Sequence, residues 1–436
     1  MKTKIFTGTL LLLLLAGSVV AQEVEPTLTP EQTQLNLESF DYVWSTIHDK
    51  HFDTTFGGLD WQAVHEELRP RVEAATTMKE ARASFRELIA RLGLSHFAVI
   101  PATLYDNIDR PVQAGDRGGE PGFEICVVDS VALVTSVVPG SAAASAGVLP
   151  GWEILKVGDE QISPLFEPLY EEFKESPRLE LYLNRAVNSR LGGPVGDSIT
   201  VTFIDGAGQE QVKTLKLAEP AGLRVLFGNL PPFYLTIDVD TLEQNIGYFA
   251  FSCFFEPVTL MGAFNQAMAG FKDAPGLIID IRGNGGGIGS LAMGIAGWLV
   301  DQKNLYLGTL STRDTELRLV VNPRALSFKG PVAVLVNGGS ASSSEFLAGG
   351  LQDIGRARIF GTRTVGAALP SAIERLPNGD GFQYAFGNYV SSSGRSLEGD
   401  GVIPDEEVRH QKEALLAGRD LMLEAAVKWI NDQTVE

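Results

Sequence analysis

The chain has 436 residues, 44% hydrophobic and 20% charged, and a formal net charge of −19. That length and balance fit a folded protein of two or three domains and exclude a disordered one. An acidic surface with no offsetting Lys/Arg-rich cluster excludes nucleic acid and anionic lipid as partners. Five scattered histidines and two cysteines offer no metal-ligand spacing, so no metal or other cofactor is expected.

Lys2 and Lys4 precede six leucines and then Ala-Gly-Ser-Val-Val-Ala. This is the charge, apolar run and small-residue site of a signal peptide over 1–21, cut after Ala21. The run is too short for a comfortable membrane span, and no cysteine stands at the site to take a lipid. An exported protein, periplasmic or secreted, is expected, with no stable membrane insertion after cleavage. Residues 22–30 read as a flexible lead-in. Across 31–100, Leu37, Phe40, Trp44 and Ile47 recur at helical spacing, as do Phe85, Leu88 and Leu92. A further helix starts at Trp61, after Gly57-Gly58, and the segment ends at Leu94-Ser95-His96-Phe97.

Residues 118–218 change to short strands with turns. At 225–410 the apolar runs IGYFAF, LIIDIR and PVAVLV each lead into a helical pattern, the last two through glycine- or serine-rich turns. Repeated units of this kind build a layered α/β domain whose chemistry sits in the turns after strands. Residues 411–436 read as a closing helix. Cys126 and Cys253 lie in apolar, strand-like contexts and read as buried free thiols.

Four turns carry candidate chemistry. Gly339-Ser340-Ala341-Ser342-Ser343-Ser344-Glu345 passes from a strand into a helix, where free N–H groups and the dipole favour a developing anion. The same residues also fit a helix capping box, Ser342-x-x-Glu345. Asp280-Ile281-Arg282-Gly283-Asn284-Gly285-Gly286-Gly287 lets backbone N–H groups approach a ligand closely. Ser95-His96 supplies a histidine, and Leu397-Glu398-Gly399-Asp400-Gly401 supplies acids.

Together these blocks resemble the S41 family of C-terminal processing, or tail-specific, serine peptidases. DIRGNGGG, GSASSSEFLAGGLQDIGRARIFG and EGDGVIPD stand in the family's order. The resemblance implies a crotonase-like, layered ββα catalytic core preceded by an N-terminal helical region. It makes Ser342 the nucleophile and places the oxyanion between the N–H of Ser343 and that of Gly286 or Gly287. Ser343 stands where relatives usually carry alanine, which should not matter to a backbone donor. Many members use a Ser–Lys dyad, but the lysine position holds Ala367, and no lysine occurs from Pro331 to Gln411. The tricorn-like branch instead pairs its serine with a Ser–His motif and a C-terminal glutamate. Ser95, His96, Ser342 and Glu398 fill those places, with Asp400 as the alternative acid. PGSAAASAGVLPGWEILKVG resembles a PDZ domain, with Trp152 where aspartate is usual. An inserted PDZ-like domain at 118–218 implies capture of an extended peptide, including its terminal carboxylate. The expected partner is therefore a polypeptide substrate, cleaved through an acyl-enzyme. The alternative is an inactive scaffold that binds peptides or apolar ligands. Oligomeric state is not readable.

Overall fold

Thr29 and Gln32 close a capping box on the first helix, α1 (Pro30–Lys50). Asp60 and Thr77 cap α2 (Trp61–Glu73) and α3 (Met78–Ala90) through a single side-chain oxygen each. These helices belong to a computed structural model that describes residues 26–102, 117–226 and 232–434. The leader expected at 1–21 lies outside the described residues. No helix among those described is long and apolar enough to cross a membrane. The apolar stripe anticipated on α1 faces inward: Leu37, Phe40 and Ile47 pack on Leu68, Phe85 and Leu88. Trp44 and Trp61 each donate their indole N–H to the other's carbonyl, at 2.9 and 3.2 Å.

After α3 a short strand, β1 (Ala98–Ile100), leads out of the helical region. An antiparallel sheet follows: β2 (Phe123–Val128), β3 (Val131–Val137), β4 (Glu153–Val157), β5 (Ser198–Ile204) and β6 (Glu210–Lys216), in that spatial order. A one-turn helix, α4 (Ala142–Ser145), forms as the alanine run implies. Two more helices, α5 (Phe166–Phe173) and α6 (Leu179–Leu191), correct the expectation of short strands and turns alone. Leu183, Val187 and Leu191 of α6 recur at helical spacing and bury against Val134, Trp152 and Phe203.

The central sheet runs β7 (Ile237–Thr241), β8 (Gly247–Phe251), β9 (Leu277–Asp280), β12 (Val332–Val336), β13 (Ala357–Gly361) and β17 (Glu406–Glu407). Every pair from β8 onward is parallel. Its central strands β9 and β12 are buried along their whole length, as parallel strands covered by helices must be. Leu277, Ile279, Val332, Val334 and Val336 face α7 (Pro257–Gly270), α8 (Gly289–Ala296) and α9 (Ser343–Asp353). Ile278, Ala333, Leu335 and Phe360 face Ala426 and Ile430 of α11 (Leu421–Thr434). The layered α/β expectation is correct. The single closing helix is instead two, since α10 (Lys412–Leu416) ends before Gly418 at φ +69°. A smaller sheet of β11 (Glu316–Val321), β10 (Leu305–Thr312) and β16 (Gly387–Ser391) covers the helices. Cys126 and Cys253 are free and buried, as read.

Two features of this architecture position the site. β9 and β12 are parallel neighbours, so the glycine turn and the serine turn that follow them lie side by side. β1 pairs with β15 (Gly381–Ala385), itself paired with β14 (Ser371–Arg375), and so ties the N-terminal helices to the core. Arg82 of α3 clamps the junction by donating to both oxygens of the fully buried Asp380, at 2.8 and 2.7 Å.

Candidate active site

Ser342 is the N-cap of α9 and has φ 55°, ψ −115°. A side chain at positive φ is strained by about 1–3 kcal/mol and persists only where its surroundings enforce it. The enforcement is visible: the Ser342 N–H donates to Glu345 Oε2 and to Ala367 O, both at 2.9 Å. The capping box is therefore real, and it aims a serine rather than excluding one. Glu345 is fully buried and also accepts from Thr364 Oγ1 at 2.6 Å and from the N–H groups of Gly366 and Ala367 at 2.8 and 3.0 Å. Burial pushes its carboxyl above the usual range, and these donors oppose that shift.

The other serines zip the two turns together. Ser340, Ser344 and Ser343 donate their hydroxyls to the carbonyls of Ile281, Asn284 and Gly287, at 2.7, 2.7 and 2.8 Å. Ser342 does not join this set. Gly286 lies so close that a Cβ there would stand 2.7 Å from Ser342 Cβ and 3.0 Å from Ser343 N. Only glycine fits. Of the two glycines offered for the oxyanion, Gly286 already donates its N–H to Asn284 Oδ1, at 2.9 Å. Asn284 is itself fixed, donating to Phe251 O at 2.9 Å. Gly287, at φ +144°, is held to Ser343 through its carbonyl, which accepts the Ser343 hydroxyl at 2.8 Å.

The base side comes from distant segments. Ser95 and His96 lie between α3 and β1, with His96 at φ 61°. Ser95 Oγ donates to Glu398 Oε2 at 2.7 Å and lies 2.7 Å from His96 Nδ1. A hydroxyl has one hydrogen, so Nδ1 must carry the proton on the His96 contact and Nε2 is left as an acceptor. The Ser95 N–H donates to Glu398 Oε1 at 2.8 Å. Ala368 N–H donates to Glu398 Oε2 at 3.0 Å, next to the Ala367 carbonyl that holds Ser342. His96 is held below its ordinary value by burial; Glu398 opposes this, and the Arg178 charge adds to it. Among the described residues Ser342 and His96 share no hydrogen bond, a contact that often tightens only with substrate bound. Asp400 stands apart, 77% exposed and facing Arg363.

Two contributors escaped the sequence. Arg178, just before α6, donates to Glu398 Oε1 and to Gly366 O, both at 3.1 Å. Nothing in Ser176-Pro177-Arg178 signals this, because its partners lie about 200 residues away in sequence. Glu345 was readable only as a helix cap; its burial among four donors needed the fold. Among the described residues no group of His, Cys, Asp and Glu could hold a metal.

The model of peptidase family S41 matches residues 245–408, and that of the tricorn protease C1 domain matches residues 36–90. A carboxyl-terminal-processing protease of Synechocystis sp. is 27% identical over 386 residues, covering 87% of this chain and 81% of that protein. Two solved structures share the fold. The photosystem II D1 C-terminal processing protease matches at 23% identity and TM-score 0.56, over 88% of this chain and 94% of its own. Mature CPAF matches at 15% identity and TM-score 0.62, over 93% and 97%. With its motif blocks in order on this fold, the chain matches peptidase family S41 over residues 245–408 and is similar to carboxyl-terminal-processing proteases over most of its length.

Proposed function

We propose that this protein is an exported serine endopeptidase that cleaves near the carboxyl-terminal end of polypeptide chains. The observation that carries it is the hydrogen-bonded line His96–Ser95–Glu398, joined through Ala367 and Ala368 to the strained Ser342. His96 Nε2 takes the hydroxyl proton as Ser342 Oγ attacks the scissile carbonyl. The oxyanion is received by the N–H groups of Ser343 and Gly287. Collapse expels the amine, which takes the proton from His96, and leaves an ester on Ser342. Water, deprotonated by His96, then hydrolyses that ester and restores the hydroxyl. Glu398 acts through Ser95, keeping the tautomer and stabilising the imidazolium. With Ala367 at the family's lysine position, no amine competes for the role of base.

The region at 118–218 acts as a PDZ-like docking module. Its β2 lies at the edge of the sheet beside α6, where an extended chain can add as a further strand. Carboxyl-terminal processing, named for the Synechocystis relative, fits a module that captures a chain end. Export would remove the leader, and amino-terminal sequencing of secreted material should begin at Gln22.

The test is labelling of the purified protein with a fluorophosphonate, alongside hydrolysis of an unfolded polypeptide. Both should occur in the wild type, vanish in Ser342→Ala and depend on His96. No labelling, under conditions that label a control serine hydrolase, would make the protein a non-catalytic binder.

A further inference from the structure

We infer that the Ser343 side chain is a positioning group that sets the spacing of the two oxyanion donors. This rests on the assignment of Ser342 as nucleophile. Ser343 opens α9, where backbone N–H groups have no partner within the helix. Its own N–H is one donor. The other, Gly287 N–H, belongs to the facing turn, and each peptide flanking Gly287 is fastened separately.

The Gly286 carbonyl accepts the Phe254 N–H at 2.9 Å. In a trans peptide the N–H points opposite the C=O, so this bond turns the Gly287 N–H away from Phe254. The next peptide gives its N–H, on Ile288, to Phe254 O at 2.8 Å. Its carbonyl, on Gly287, accepts Ser343 Oγ at 2.8 Å. Phe254 thus orients the glycine turn, and the Ser343 hydroxyl ties that turn to the residue carrying the second donor. Ser343 is fully buried, so water does not compete for the bond. Since Phe254 already orients both peptides, what the Ser343 hydroxyl adds is the distance between the glycine turn and the Ser343 N–H.

An alanine at this position leaves both N–H groups in place but removes the tie. The serine is a difference of this chain in a residue whose backbone alone was expected to matter. Deleting an entire oxyanion donor costs about 10²–10³ in rate. Loosening the spacing of two donors that remain should cost less, about tenfold.

The experiment resolves fluorophosphonate labelling of full-length protein into its maximal rate and its half-saturating concentration. Ser343→Ala should lower the maximal rate about tenfold, leave half-saturation within about twofold and leave the pH profile unmoved. Ser343→Cys, close in size and a weaker donor, should fall between alanine and wild type. If Ser343→Ala does not fold, Ser343→Cys decides: a reduced maximal rate at unchanged half-saturation supports the tie, and a wild-type rate overturns it. A folded Ser343→Ala that labels at the wild-type rate, or changes only in half-saturation or melting temperature, also overturns it while leaving Ser342 as the nucleophile. If wild type takes no label at Ser342, the assignment of the nucleophile fails and this inference falls with it.

Discussion

On the nucleophile side, Ser342 and the glycine turn follow neighbouring strands of one sheet and are joined by backbone groups and neutral hydroxyls. On the base side, Ser95 and His96 follow the N-terminal helices, Glu398 comes from a loop of the core, and Arg178 comes from the edge of the β-rich region. Those three parts are held by a carboxylate and its donors. The contrast separates a preformed half from an assembled half. Strands β9 and β12 cannot move apart without breaking the central sheet, so the proposed nucleophile and oxyanion donors are held in a fixed relation. The proposed base depends on three separate segments staying docked, and under that reading any of them can modulate it.

Substitutions in the assembled half should be the most damaging. His96→Ala should lower kcat by about 10⁴–10⁶ and abolish fluorophosphonate labelling, while melting like wild type. A melting loss instead would mean that His96 serves the docking of α3 to the core. Glu398→Gln should lower kcat by about 10²–10⁴, measured by peptide hydrolysis, because the amide cannot stabilise an imidazolium as a carboxylate does. A small effect would show that Ser95 alone orients the ring.

Arg178→Gln sharpens the comparison across regions. It removes charge-assisted bonds to Glu398 and to Gly366 O, and kcat/KM should fall about tenfold. Its pH profile distinguishes it from simple loosening. His96 lies below 6.5, so the acid limb of the wild-type kcat/KM profile should fall below pH 6.5. Arg178 contributes to that depression and Glu398 opposes it. The limb should therefore move up in Arg178→Gln and down in Glu398→Gln; movement in the same direction would refute the electrostatic account. Asp400→Asn should change kcat/KM by less than about twofold, since exposed pairs such as Asp400–Arg363 contribute little.

Legibility follows the same division. The serine run, the glycine turn and the strands before them were readable because local pattern dictates them: buried runs, glycines where no Cβ fits, and a cap at the start of α9. Ser95-His96 was readable only as a dipeptide resembling one branch of a family. The choice of Glu398 over Asp400 was not decided by sequence, since both acids sit in one turn. The fold separates them: Glu398 Oε1 and Oε2 face Ser95 and Ala368, while Asp400 faces solvent, which supports Glu398 as the proposed partner. Helices α5 and α6 were missed because their flanks read as turns, and Arg178 was missed with them.

The sequence by itself determined the family blocks, the layered α/β core, the absence of a lysine near Ala367 and the identity of Ser342 as the residue to watch. These are local, since short-range pattern and steric need specify them. Tertiary structure alone decided which glycine N–H is spent on Asn284, which acid faces Ser95, what the Ser343 hydroxyl touches and that Arg178 reaches the site. Each of those depends on where a buried polar group finds its partner, and the partners lie from 2 to 303 residues away in sequence.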